Sequence, residues 1–210
     1  MTTLYLETNF FIGFAKNQDQ DCDVLIYSQT NEQISQITIV IPAICCMESV
    51  SVLEYERRRR HSFTERLERE RNELKGNINS EFSREILRSL QTAKIHNEAM
   101  TNDIENRLFE VLKWAANNVE LINLESSILI TSLNQQLIPD PTDNLILHCI
   151  LAHAKTSSDD YKVLLSGNSK DFGTKEIKQI LGAAGIKKYV ASTRDFLGWL
   201  QSIGADGATK

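Results

Sequence analysis

The 210 residues, 41% hydrophobic and 24% charged, suffice for one sizeable core and are too apolar for a disordered chain. A net charge of -5 and a pI near 5.5 argue against broad, nonspecific coating of a polyanion. They leave room for a nucleic-acid enzyme in which bound cations and a local basic patch meet the phosphates.

The chain opens on Leu4-Tyr5-Leu6-Glu7-Thr8-Asn9, which reads as a short buried strand running into a carboxylate, with Asn9 in a turn. In open α/β sheets ligands bind just beyond the carboxyl ends of strands, so Glu7 is well placed for a site. Residues 10–16 begin a helix, residues 19–23 are a polar break, and residues 24–34 can be helical. Residues 37–41 are β-branched and apolar, a second buried strand, and Pro42 suits the first turn of a helix. On that helix Glu48 shares a stripe with Ile44, Val52 and Tyr55. A charge on such a stripe has either a partner or cation, or a place at the solvated margin.

From Glu54 the chain turns highly charged. Arg57-Arg58-Arg59-Arg60-His61 precedes a mixed run in which Glu56 with Arg60, and Glu65 with Arg69, have i,i+4 spacing. Gly76-Asn77 breaks the helix, and Ser80 or Ser83 can cap a second one. In that helix Phe82, Ile86, Leu90, Ala93, Ile104, Leu108 and Ala115 fall near one face. Residues 54–118 therefore read as a long antiparallel helical hairpin inserted into a single domain spanning residues 1–210. Its arginine run is either a solvated face or a phosphate-contacting patch.

Residues 120–124 form a third strand and residues 125–136 a helix. Asp140 fits an N-cap, Pro141 the first helical position, and Asp143 the first turn, on a stripe with Ile146, Leu147, Ile150 and Ala154. Residues 162–166 form a fourth strand, with Asp171 just past its end. A turn Asp is the plainer reading of that residue. Thr174 caps a helix over residues 175–183 that stops at Gly185, and residues 189–192 form a fifth strand. Ser192-Thr193-Arg194-Asp195 resembles a capping box for a last helix carrying Phe196, Leu197, Trp199 and Leu200. Alternating strands and helices imply a parallel sheet covered on both faces.

The four cysteines, Cys22, Cys45, Cys46 and Cys149, show no C-x-x-C or zinc-cage spacing, and Cys45, Cys46 and Cys149 lie in apolar helical stretches as core thiols, which fits a reducing compartment. Without a signal pattern or a bilayer-length apolar run, the expected location is cytoplasmic. His148 and His153 are five apart, the wrong spacing for two ligands on one helical face, and Ser166-Gly167 lacks the surroundings of a nucleophile elbow.

Glu7, Glu48, Asp143 and Asp171 thus stand where a parallel sheet would gather them. Packed together they repel, and hard cations such as Mg2+ or Mn2+ remove the conflict by taking oxygen ligands. Such a site suits metal-assisted phosphodiester cleavage.

These pieces, in this order, resemble the PIN-domain family of metal-dependent nucleases. The resemblance rests on residues 4–9, on Ile41-Pro42-Ala43 leading to Glu48, and on Asp143-Asn144-Leu145-Ile146 leading to Ala152-His153-Ala154. It rests also on residues 165–172 and on the closing segment from Tyr189-Val190 to Phe196-Leu197. It covers residues 2–52 and 119–202 and leaves the hairpin aside. It implies a three-layer α/β fold with a central parallel sheet of about five strands. It implies that Glu7, Glu48, Asp143 and Asp171 are the catalytic metal ligands for Mg2+ or Mn2+, supported by Thr8, Asn9 and Asn168. The substrate so implied is single-stranded RNA, cleaved to 5′-phosphate and 3′-hydroxyl ends. Arg57, Arg58, Arg59, Arg60, Lys170 and Lys175 are candidate phosphate contacts. Compact toxin ribonucleases of the family suggest a homodimer and an antitoxin-like protein partner. The chain departs from the family in carrying Glu7 where Asp is usual. That extra methylene motivates the alternative of a catalytically silent PIN-fold binding module that acts through its hairpin.

Overall fold

The computed structural model describes residues 2–19, 21–27, 36–77 and 80–207. In β1 (Thr2–Leu6) the successive residues Leu4, Tyr5 and Leu6 are wholly buried. Side chains alternate between the two faces of a strand, so such a strand must be covered on both. Its neighbours are β2 (Ile37–Pro42) and, on the other side, β4 (Tyr161–Leu165). The edges are β3 (Glu120–Ile122) and β5 (Lys188–Val190). The order is β3-β2-β1-β4-β5 and every pairing is parallel, as the alternation of elements predicts. The chain winds outward from β1 to β3, then crosses back to β4 and β5. The reversal leaves a crevice at the carboxyl ends of the strands beside β1.

Asn9 lies in α1 (Thr8–Ala15), not in a turn. The Glu7 carboxylate accepts from the Asn9 amide at 2.7 Å and so caps the helix itself, which lets the chain turn helical one residue after the strand. α2 (Cys22–Tyr27) begins inside the expected polar break; the rest of the expected 24–34 helix falls on residues 28–34, outside the described residues.

α3 (Ala43–Leu74) follows β2 directly and runs 32 residues, about 48 Å at 1.5 Å per residue. A short 3-10 turn (Lys75–Asn77) leads toward α4 (Glu81–Asn118), which packs back along α3. The apolar stripe expected on α4 is buried only over its second half. There Ile104, Leu108, Val111 and Ala115 join the core, while Phe82 remains 82% exposed and Ile86 is exposed. α1 packs on both long helices. Farther out, α3 and α4 meet through polar side chains. Asn97 accepts from Arg60 at 3.1 Å and donates to the Thr64 hydroxyl at 3.0 Å, Arg71 donates to Gln91, and Lys94 pairs with Glu68. Nearer the core, Lys16, just past the end of α1, pairs with the buried Glu56 of α3. Glu56 also meets Arg60 as the spacing predicts, whereas Glu65 pairs with His61 instead of Arg69.

α5 (Ser126–Asn134), α6 (Pro141–Thr156), α7 (Lys175–Ala183) and α8 (Thr193–Gly207) complete the fold. Tyr5 reaches α6, where its hydroxyl meets His153 Nδ1 at 2.8 Å, so α6 covers that face of the sheet. Among the described residues no helix is long and apolar enough to cross a membrane.

Candidate active site

Each of the four acids is delivered by the end of a strand or the start of a helix. Glu7 follows β1 and is 2% exposed. Its Oε2 takes the Asn9 amide, but its Oε1 has neither solvent nor a hydrogen-bond partner. Burial pushes its carboxyl up to about 7, and the charges of Asp143 and Glu48 add to the effect. The Asn9 amide and the Ser166 hydroxyl oppose it. The Ser166 hydroxyl makes no hydrogen bond of ordinary geometry to the bare Oε1.

Glu48 lies in the second turn of α3, half-buried, and its Oε2 accepts from the Thr8 hydroxyl. Asp143 is in the first turn of α6. As the sequence predicts, Asp140 caps that helix, accepting from the amides of Thr142 at 2.8 Å and Asp143 at 3.1 Å, with Pro141 at the first position. Burial raises the Asp143 carboxyl to about 6, helped by the charges of Glu48, Asp140 and Asp171. Asp171 sits in the loop after β4. The Asn168 side-chain amide nitrogen donates to both Asp143 at 2.9 Å and Asp171 at 2.7 Å, so one amide ties the loop's carboxylate to that of α6.

That loop is held from below. Phe172 is wholly buried, and the amides of Asp171, Phe172 and Gly173 turn back onto the carbonyls of Asn168 and Ser169. A Cβ on Gly173 would lie 2.5 Å from the Ser169 carbonyl oxygen, a backbone atom that cannot swing aside. Gly173→Ala is therefore expected to destabilise the protein by about 1–3 kcal/mol in urea unfolding. An unchanged midpoint would show that the loop accommodates the methyl group.

Glu7 and Glu48 thus lie in the field of Asp143, as does Asp171, and among the described residues no Lys or Arg forms an ion pair with any of the four. The donor set is all carboxylate oxygen, the chemistry of a hard divalent cation, and one buried oxygen is left unused. Their spacing is wider than ligation requires. Among the described residues no three His, Cys, Asp or Glu side chains stand close enough to hold an ion together.

Asn9 serves the site through its backbone amide; its side chain is exposed. The six candidate phosphate contacts do not form one patch. Arg57 pairs with Glu54, and Arg59 and Arg60 with Glu56. Arg58, Lys170 and Lys175 are exposed and make no ion pair among the described residues; Lys170 adjoins Asp171 in the loop. The histidines have other work. His148 meets the Gln135 carbonyl at 2.9 Å, and His153 bridges Tyr5 and Glu120. Ser166 is a residue that sequence reading weighs only as a nucleophile. It is fully buried, accepts the Asn168 amide at 3.1 Å and lies against Glu7; its position between β4 and Asn168 is the one available signal.

A family model described as a PIN domain matches residues 4–172. The chain belongs to the PIN-domain family. PIN domains are typically nucleases and generally use divalent metals, which supports a hydrolase acting on nucleic acid. The match runs across α3 and α4 as well as β1 to β4, and ends before β5. No curated protein and no solved structure matches it.

Proposed function

We propose that this PIN domain is an endoribonuclease that cleaves single-stranded RNA at its acidic crevice with the help of Mg2+ or Mn2+. The observation that carries the reading is Glu7, a buried carboxylate with a bare oxygen, in the field of two further acids and without a cationic partner among the described residues. Glu7, Glu48, Asp143 and Asp171 would hold the ion. When bound, such an ion lowers the pKa of a water and steadies the oxyanions of an in-line displacement.

The chain's own groups prepare that crevice. Thr8 orients Glu48, and Asn168 orients Asp143 and Asp171 through a single nitrogen. The Asn9 amide and the Ser166 hydroxyl favour ionised Glu7 against its burial. Lys170, Lys175 and Arg58, exposed and without an ion pair among the described residues, supply cations for phosphate oxygens. RNA as substrate rests on the family resemblance, and a cytoplasmic setting rests on four free cysteines, three of them buried. The wide carboxylate spacing favours the second reading, a PIN-fold module that binds without cleaving. The two readings part on whether labelled single-stranded RNA is cut with Mn2+ by the wild type and spared by Asp143→Asn.

A further inference from the structure

The arginines of α3 divide once their partners are known. Arg57, Arg59 and Arg60 are held by Glu54 and Glu56, and Arg60 also donates to Asn97. Arg58, Arg66 and Arg69 have no carboxylate within ion-pair distance among the described residues; Arg66 lies over the Phe63 ring at 5.9 Å. At about 100° per residue, Met47, Ser51, Tyr55, Arg58, Arg66 and Arg69 fall on one side of the helix. Of the acids along that side, Glu54 pairs with Arg57 and Glu65 meets His61 at 3.2 Å, while Glu73, one turn beyond Arg69, is exposed.

Tyr55 and Met47 on this side are 68% and 69% exposed. They line a depression of about 510 Å³ together with Glu48, Ser51 and Thr142. Glu48 belongs to the acidic site and Thr142 adjoins Asp143, so the depression borders that site along α3. From Glu48 to Arg69 the helix advances about 31 Å. A tyrosine ring near the site, followed by guanidinium groups without an ion pair among the described residues, is what an unpaired strand requires, because its bases stack on rings and its phosphates meet cations. In a chain of net charge -5 such cations are a local feature.

We infer that this side of α3 is the path along which single-stranded RNA runs from the acidic site, with a base stacked on Tyr55 and phosphates on Arg58, Arg66 and Arg69. The inference rests on the nuclease reading of the site and assigns its substrate track.

The test measures binding of a labelled single-stranded oligoribonucleotide to the full chain carrying Asp143→Asn. Adding Tyr55→Ala is expected to weaken binding by roughly tenfold, whereas Tyr55→Phe retains it. Adding Arg58→Ala is expected to reduce the slope of log affinity against log salt by about 0.7, the share of one phosphate contact on a single strand. Arg57→Ala, which removes an already paired cation, leaves the slope near its starting value. Unchanged affinity and slope for both Tyr55→Ala and Arg58→Ala overturn the inference and leave this side of α3 to a protein partner, whether or not the wild type cuts RNA. If the losses occur but the wild type does not cut RNA with Mn2+, the track stands and the nuclease reading falls.

Discussion

Asp143→Asn is expected to lower Mn2+-dependent cleavage of single-stranded RNA by roughly 100-fold or more while leaving the fold intact. Removing a group that merely supports a metal ligand lowers metal affinity or activity about 10- to 100-fold, and removal of a ligand belongs at or above the top of that range. The substitution keeps the side chain's size and an oxygen able to accept from Asn168, and the Asp140 cap does not depend on it. It removes one charge from a crevice that already resists holding that charge, since the Asp143 carboxyl is pushed up to about 6. The metal-free variant is therefore expected to be at least as stable as the wild type. Loss of cleavage with retained stability separates chemistry from folding. Equal rates for the two proteins would remove Asp143 from the reaction.

Glu7 governs the second large effect, the dependence of stability on pH without metal. Its folded carboxyl is raised to about 7 from an ordinary 4.5. Between those values the folded protein binds more protons than the unfolded chain, so stability falls as pH rises through this window and is flat above it. The loss is on the order of 3 kcal/mol, as Glu7 is too buried for solvent to screen it. Asp143 acts in the same direction from 3.8 to about 6, with a smaller effect because it is only half-buried. Glu56 has its carboxyl lowered by Lys16 and Arg59, against the opposing pull of burial, and its contribution is lost as pH falls. The comparison with Glu7→Gln isolates the Glu7 effect. In urea unfolding the variant is expected to exceed the wild type at about pH 8 and to lose that advantage at about pH 5. Saturating Mn2+ at the higher pH is expected to raise the wild type's midpoint more than the variant's. A wild type that is the more stable protein at about pH 8 without metal would contradict the assignment of Glu7 as a strained carboxylate.

What could be read from sequence was mostly local. Asp140, Thr174 and Ser192 cap helices where their spacing predicts, because a cap involves residues two or three apart. The five strands emerge from short apolar runs, and their parallel order follows from the alternation with helices. That acids stand at strand and helix ends was legible, because parallel sheets present strand ends together. Partners across the fold were not legible. Nothing near Glu56 in sequence announces Lys16 at the end of α1, and nothing in the arginine run distinguishes Arg58 from Arg57 until their surroundings are placed. The outer half of α4 misled through periodicity. Its apolar residues repeat correctly, but α3 meets them there with polar side chains, so Phe82 and Ile86 stay in water.

The presence of a divalent ion among the four acids is tested most directly by anomalous diffraction from a crystal of the full chain grown with Mn2+. The expected result is a manganese peak between Glu7 and Asp143, with Glu48 and Asp171 drawn toward it. A clear map with no anomalous peak among these carboxylates, at Mn2+ concentrations that saturate any effect on stability, would contradict a metal-dependent site.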